Sequence, residues 1–220
     1  MREFSRIKIK ACIFDLDGVI VDTAKYHYLA WKRLADELGF EFTEDDNERL
    51  KGVSRLDSLE ILLSIGNKSF DDKTKLLLAE KKNAWYVEYI SKMSKDEVLP
   101  GVENFLEVLK DAGIKISLGS VSKNALQILK SLNLTNYFDA IIDGTRISKA
   151  KPDPEVFLKA SAELNIPPEE CIVFEDASAG IDGAINANMY SIGVGSPKIL
   201  NKANKVISGF TAIDLSILEV

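Results

Sequence analysis

The stretch Ala11-Cys12-Ile13-Phe14-Asp15-Leu16-Asp17-Gly18 decides how this chain is read. An apolar run that begins near Ile7 leads into two carboxylates with one residue between them, then a glycine. Such a run reads as a strand buried on both faces of a parallel sheet. Open α/β sheets bind ligands beyond the carboxyl ends of their strands, so Asp15 and Asp17 arrive where such folds do chemistry. Gly18 permits a sharp turn or a close backbone approach to a ligand. Asp-x-Asp-Gly alone also opens calcium loops, but an EF-hand loop needs an oxygen ligand at its fifth position, glycine at its sixth and glutamate at its twelfth. Counted from Asp15, those positions hold Val19, Ile20 and Tyr26, and the calcium-loop reading fails.

Beyond this strand the pattern becomes helical. Thr23 can cap a segment with Tyr26, Leu29, Ala30, Leu34 and Leu38 at helical spacing, closed by Gly39. Trp31 with Leu29, Leu34 and Leu38 is expected in its core. Thr43-Glu44-Asp45-Asp46 opens a second helix, Ser54 to Ile65 forms a third ended by Gly66, and Asp72 to about Lys92 a fourth. After Pro100-Gly101 strands alternate with helices. Strands are expected at Ile114 to Gly119, Ala140 to Ile142, Cys171 to Phe174, Ser191 to Val194 and briefly at Val206-Ile207. Helices are expected at Val102 to Ala112, Asn124 to Leu132, Pro154 to Leu164 and Ala177 to Ala187. This alternation predicts an α/β, Rossmann-like parallel sheet covered on both faces. The helical block reads as an inserted cap domain, 23–98, joined through hinges near Asp22 and Leu99 to a core domain of 1–22 and 99–220. A cap can close on substrate and exclude water.

At 220 residues the chain can bury one large core or two smaller ones. Its 46% hydrophobic and 28% charged content is that of an ordinary globular protein. A net charge of −6 argues against nucleic acid or a basic membrane-surface role, while leaving room for a local cationic pocket. No signal-peptide core or membrane-length apolar run is apparent, and Cys12 and Cys171 read as buried strand residues, not a disulfide. A cytoplasmic, monomeric enzyme with a small-molecule partner is expected.

Three further motifs fall at strand ends or helix starts. In Gly119-Ser120-Val121-Ser122-Lys123-Asn124, Ser120 offers a hydroxyl and the following helix offers N–H groups suited to phosphate. In Lys151-Pro152-Asp153-Pro154, Lys151 can place a cation beside a transferring phosphoryl group. Pro152 restrains that approach, and the isomer of its peptide bond is left open. In Phe174-Glu175-Asp176, two carboxylates at a strand end join Asp15 and Asp17 in a set that calls for a hard cation, Mg²⁺ above others. Taken singly, these motifs read as a helix cap, a turn and a solvated loop. Their joint order, each with the right flanking element, carries the signal.

With those four motifs and the helical block, the chain resembles the haloacid dehalogenase-type phosphotransferase superfamily. Asp15-Leu-Asp-Gly-Val-Ile-Val-Asp22-Thr23-Ala24-Lys-Tyr-His27, Leu50-Lys-Gly-Val-Ser-Arg55-Leu-Asp-Ser58 and Ser120-Val-Ser-Lys-Asn124 extend the likeness to its glucose-phosphate mutases, across essentially the whole chain. The resemblance implies interconversion of β-D-glucose 1-phosphate and glucose 6-phosphate, with β-glucose 1,6-bisphosphate as intermediate and activator. It implies Asp15 as nucleophile, forming an aspartyl-phosphate, and Asp17 as general acid and base. Mg²⁺ would be bound by Asp15, the Asp17 carbonyl and Asp176, with Glu175 as a direct or adjacent partner. Ser120 and Lys151 would hold the transferring group.

A mutase must also grip a second phosphate. Arg55, within Gly52-Val53-Ser54-Arg55, is the expected clamp from the cap, with Ser122, Lys123 and Asn124 completing the site from the core. Lys82 matches a family lysine, with Lys81 beside it as a rival. His27, the only histidine, would by spacing alone be structural. The resemblance gives it a role in coupling cap closure to the positioning of Asp17, with Thr23 at the hinge. Gly119, Val121 and Lys25 depart from the mutase pattern without removing a named chemical group. The competing readings are a sugar-phosphate or phosphoglycolate-type phosphatase on the same scaffold, a true dehalogenase, which would leave Asp17 and the acidic set without a role, and a non-catalytic binding protein, which would be expected to have lost a catalytic group.

Overall fold

In the computed structural model, which describes residues 9–50 and 54–220, the opening apolar run becomes strand β1, Ala11–Phe14, with every residue buried. The expected beginning at Ile7 lies outside the described residues. The chain then forms helices α1 (Ala24–Leu38), α2 (Glu44–Glu48), α3 (Arg55–Ile65), α4 (Asp72–Ile90) and α5 (Val102–Asp111). From there strands and helices alternate: β2 (Lys115–Gly119), α6 (Ala125–Ser131), β3 (Ala140–Ile142), α7 (Glu155–Leu164), β4 (Cys171–Glu175), α8 (Ser178–Asn186), β5 (Tyr190–Val194) and β6 (Lys205–Ile207).

All six strands join one parallel sheet in the order β3-β2-β1-β4-β5-β6. Cys12 lies between Ile116 on one side and Ile172 on the other. Side chains alternate across a strand, so β1 feeds two cores. Ala11 and Ile13 pack with Val156, Phe157 and Ala160 of α7 and Ala184 of α8. Phe14 enters an aromatic cluster on the other side, stacked on Phe174 at 4.7 Å and edge-on to Phe105 of α5 at 6.3 Å. Cys12 and Cys171 are buried and free.

The chain divides into two compact units. Thr23–Lys92 is helical, and the rest, up to Asp22 and from Met93 to Val220, contains the sheet. The second boundary therefore falls earlier than the expected residue 98. Val98 bridges antiparallel to Val21, and the Leu99 N–H donates to the Ile20 carbonyl at 2.9 Å, which ties this stretch to the sheet unit.

Within the helical unit, local chemistry sets the helix ends. Thr43 and Asp46 form a reciprocal capping box on α2, while Ser54 and Asp71 accept from the N–H groups of Asp57 and Thr74 at the starts of α3 and α4. Each such cap is worth about 1 kcal/mol. Gly39 closes α1 at φ +81°, a conformation glycine adopts without steric cost. Trp31, Leu34, Phe42, Leu59 and Leu62 form the core. Leu29 is a correction to the expected set: it is 47% exposed. At 100° per residue it lies across the helix from the Trp31, Leu34 and Leu38 face. No helix among the described residues is long and apolar enough to cross a membrane.

Candidate active site

The sheet order places β1 beside β4, where the direction of winding reverses, and the crevice beyond such a reversal is where open α/β sheets bind ligands. Asp15 is the first residue past β1, and its N–H donates to the Phe174 carbonyl at 3.0 Å. Glu175 ends β4, and Asp176 follows it. Phe14 is in register with Leu118, so Ser120 leaves the adjacent strand just beyond Asp15's level. Lys151 comes from the segment between β3 and α7, through a cis Lys151–Pro152 bond. Its Nζ donates to Asp15 Oδ1 at 2.5 Å and to Glu175 Oε1 at 2.6 Å. The other Glu175 oxygen accepts the Ala177 N–H at 2.9 Å.

The carboxylates of Asp15, Asp17, Glu175 and Asp176 thus share their surroundings with the Lys151 ammonium. Burial drives the Asp15 carboxyl well above the usual range; Lys151 opposes the rise, and Glu175 and Asp17 reinforce it. Burial works against the Lys151 charge, yet Asp15 and Glu175 outweigh it and hold the ammonium well above the ordinary lysine range. Asp176 keeps solvent contact, but partial withdrawal from water pushes its carboxyl up to about 7, with Glu175 and Asp17 adding to the rise. The excess of negative charge is what a divalent cation would relieve. Carboxylate oxygens of Asp15, Glu175 and Asp176 lie within 4.8 Å of one another, all of them the hard donors Mg²⁺ prefers. Two glycines leave them space. A Cβ on Gly18 (φ +76°) would stand 2.1 Å from Asp176 Oδ2, and one on Gly180 would stand 1.9 Å from Glu175 Oε1. The donor set fits the expected metal.

Ser120 is buried, and its N–H donates to the Ile142 carbonyl at 2.9 Å. Its hydroxyl oxygen accepts the Ser122 N–H at 3.1 Å, and Ser122 Oγ accepts the Asn124 N–H at 3.3 Å. These bonds fold the Ser120–Asn124 stretch into a tight turn before α6. Gly144 lies against its back, where a Cβ would meet the Val121 carbonyl at 2.1 Å.

The remaining expected residues belong to the helical unit. Lys82 Nζ lies 3.0 Å from His27 Nδ1, and the His27 and Tyr86 rings are 4.1 Å apart. Burial, then the charges of Lys82 and Arg55, hold His27 well below the ordinary imidazole range, so it is neutral and accepts from Lys82. Burial and Arg55 bring the Lys82 ammonium down to about 7, while the faces of Trp31 and Tyr86, 4.4 and 5.0 Å from Nζ, offset part of that cost. The structure separates the two rival lysines: Lys82 is 2% exposed, whereas Lys81 is exposed and pairs with Glu37. Arg55 is exposed at the start of α3, and the Ser54 hydroxyl is engaged in capping that helix. Gly52 and Val53 lie outside the described residues.

Sequence reading missed Gly180 and Glu155. A glycine inside a helical pattern signals close packing and could have flagged the first. Glu155 looks like an ordinary helix-start acid, and only its partners reveal more.

A family model described as haloacid dehalogenase-like hydrolase matches residues 12–194. A protein of Bacillus subtilis named beta-phosphoglucomutase is 43% identical over 96% of this chain and 94% of its own length. A Thermotoga maritima protein named phosphorylated carbohydrates phosphatase is 35% identical over 84% of each chain. The crystal structure of a Clostridium difficile beta-phosphoglucomutase superposes with a TM-score of 0.86, at 45% identity over 96% of this chain and 95% of its own.

Proposed function

Because the chain belongs to the haloacid dehalogenase-like hydrolase family, we propose that it is a β-phosphoglucomutase, interconverting β-D-glucose 1-phosphate and glucose 6-phosphate through β-glucose 1,6-bisphosphate. The observation that carries this reading is the likeness to Bacillus subtilis beta-phosphoglucomutase over nearly the whole of both chains. Asp15 is the nucleophile. One of its oxygens attacks phosphorus, the bond from phosphorus to the sugar oxygen breaks, and Asp17 gives that oxygen its proton. In the second half-reaction Asp17 takes the proton from the other sugar hydroxyl, which attacks the aspartyl-phosphate and frees Asp15. That attack, by the free hydroxyl of a sugar monophosphate, forms the bisphosphate, which reorients before Asp15 attacks its other phosphate and so completes the isomerisation.

Lys151 and Ser120 hold the transferring group, and Lys151 favours the ionised Asp15 that attack requires. Asp15, Asp176, Glu175 and the Asp17 carbonyl are the residues that would hold Mg²⁺. When bound, it neutralises charge on the phosphoryl oxygens. Arg55, Ser122, Lys123 and Asn124 recognise the second phosphate, and Gly52, Val53, Ser54, His27 and Lys82 serve the sugar and the helical unit, with Thr23 as hinge. The net charge of −6 supports a small-molecule partner over nucleic acid, and two free buried cysteines support a reducing compartment such as the cytoplasm. A monomer suffices for this chemistry.

The Thermotoga phosphatase favours a second reading, hydrolysis of a sugar phosphate on the same site. One assay separates the two. Purified protein with Mg²⁺, β-glucose 1-phosphate and a trace of glucose 1,6-bisphosphate is followed for glucose 6-phosphate and free phosphate, with the α-anomer as control. Glucose 6-phosphate from the β-anomer alone, with little phosphate, is the expected result. Phosphate release without isomerisation would replace the mutase by the phosphatase.

A further inference from the structure

The segment leading into Lys151 is bound to one face of α7. Glu155, Lys159 and Glu163 recur at every fourth position of that helix, so their side chains lie in one row. Each reaches back to residues 146–149. Glu155 Oε2 accepts from the Ser148 N–H at 2.9 Å, the Ser148 hydroxyl at 2.9 Å and the Lys149 N–H at 2.8 Å. Lys159 Nζ donates to the Arg146 carbonyl and to Glu155 Oε1, both at 2.6 Å. The Arg146 guanidinium pairs with Glu163 and donates to the Ile141 carbonyl at 2.9 Å. The other face of α7, with Val156, Phe157 and Ala160, is buried against the sheet. Residues 146–149 are thereby referenced to the sheet through a packed helix.

Glu155 is the corner of this arrangement. Its side chain closes a ring that runs from Ser148 through Lys151 back to its own backbone, and its N–H tightens the return by donating to Asp153 Oδ1 at 3.0 Å. Lys151 sits midway round that ring, with its ammonium on Asp15 and Glu175. An exposed Lys–Glu pair is worth little alone. Two backbone N–H groups and a hydroxyl converging on one carboxylate differ in kind: water can replace so exposed an acceptor at little cost in stability, but it does not fix the path of the chain through Ser148 and Lys149. Lys159 first, and then the Ser148 and Lys149 donors, hold the Glu155 carboxyl down to about 2, so the acceptor is ionised throughout the neutral range.

We infer that Glu155 is a positioning residue for phosphoryl transfer, fixing the Ser148–Glu155 loop so that the Lys151 ammonium is presented to the phosphoryl group at Asp15. This rests on the role proposed above for Lys151. A cation fixed before reaction needs no reorganisation as charge develops, and a small misplacement lowers rate more than binding. The loss therefore belongs in kcat.

The test is a double-mutant cycle of Glu155→Gln and Lys151→Ala, with steady-state kinetics and melting of each variant. Glu155→Gln is expected to lower kcat about 10- to 100-fold, with KM changed less than about twofold. Its melting temperature should stay within about 2 °C of the parent. In the Lys151→Ala background the same change should cost nothing further, since its effect passes through the lysine. Unchanged kcat in Glu155→Gln, or a loss that repeats in full without Lys151, overturns the inference. Turnover retained by Lys151→Ala alone would instead remove the premise, and it shows in the single variant. If Glu155→Gln does not fold, Lys159→Met releases only the outer prop. It should cost a few-fold in kcat, again only while Lys151 is present.

Discussion

Burial raises the cost of ionising Asp15, while the Lys151 ammonium 2.5 Å away lowers it, and that balance governs whether the carboxylate is ionised, as the proposed attack on phosphorus requires. Asp15→Asn keeps the shape and removes the proposed nucleophile. Turnover should fall by at least about 10³-fold with no loss of melting temperature; retained turnover would exclude Asp15 from that role. Gly180 is subject to a similar contest. In an exposed helix interior, glycine to alanine stabilises by about 1 kcal/mol. Here the added Cβ would stand 1.9 Å from Glu175 Oε1, so the carboxylate must shift. Gly180→Ala is expected to weaken Mg²⁺ binding about tenfold or more in a calorimetric titration. Tighter folding with unchanged Mg²⁺ affinity would show that Glu175 does not need this space.

Among the helices, α1 and α4 bring a half-buried His27 and a buried Lys82 together, flanked by Trp31 and Tyr86. A lysine whose ammonium is brought from 10.5 down to about 7 has a definite linkage sign. Below pH 7 both folded and unfolded chains carry the proton, and folding bears the full cost of burying the charge. Between about 7 and 10.5 only the unfolded chain holds it, so stability rises with pH through that window. The advantage of Lys82→Met over the parent in urea unfolding should be largest at pH 6 to 7. It should shrink toward pH 10, by at most about 1.4 kcal/mol per pH unit. A constant difference across that range would mean that the aromatic faces keep Lys82 charged.

At the scale of the molecule, an acidic chain gathers its chemistry at the one reversal of winding in its sheet. Strand order brings Asp15, Ser120, Glu175 and Asp176 to neighbouring strand ends although more than a hundred residues separate Asp15 from the others. Carboxylates of Asp15, Glu175 and Asp176 lie within 4.8 Å of one another, so a bound cation should stabilise the fold by mass action. Saturating Mg²⁺, about 100 times its Kd, is worth about 2.7 kcal/mol. The melting temperature should rise with Mg²⁺, return with EDTA, and fail to rise in Asp176→Asn. A melting curve indifferent to Mg²⁺ would count against the acidic set as a metal site.

Much of this was legible in the amino-acid order. Apolar runs and turn residues are local signals, so the alternating strands, the helical insertion and the Asp15, Ser120, Lys151 and Glu175 motifs could be placed without coordinates. The chemistry of those side chains also limited the reaction class. Periodicity alone could not tell which side of α1 was buried, and Leu29 proved to point outward. Nor could it separate Lys81 from Lys82, since adjacent helical residues differ by 100° and only packing chooses between them. The Met93–Leu99 stretch joined the sheet unit through the Val98 bridge to Val21 and the Leu99 bond to Ile20, partners far away in sequence. The room made by Gly180 and the ring closed by Glu155 depend on distances between elements. Such distances arise when helices settle on a sheet, and no window of neighbouring residues encodes them.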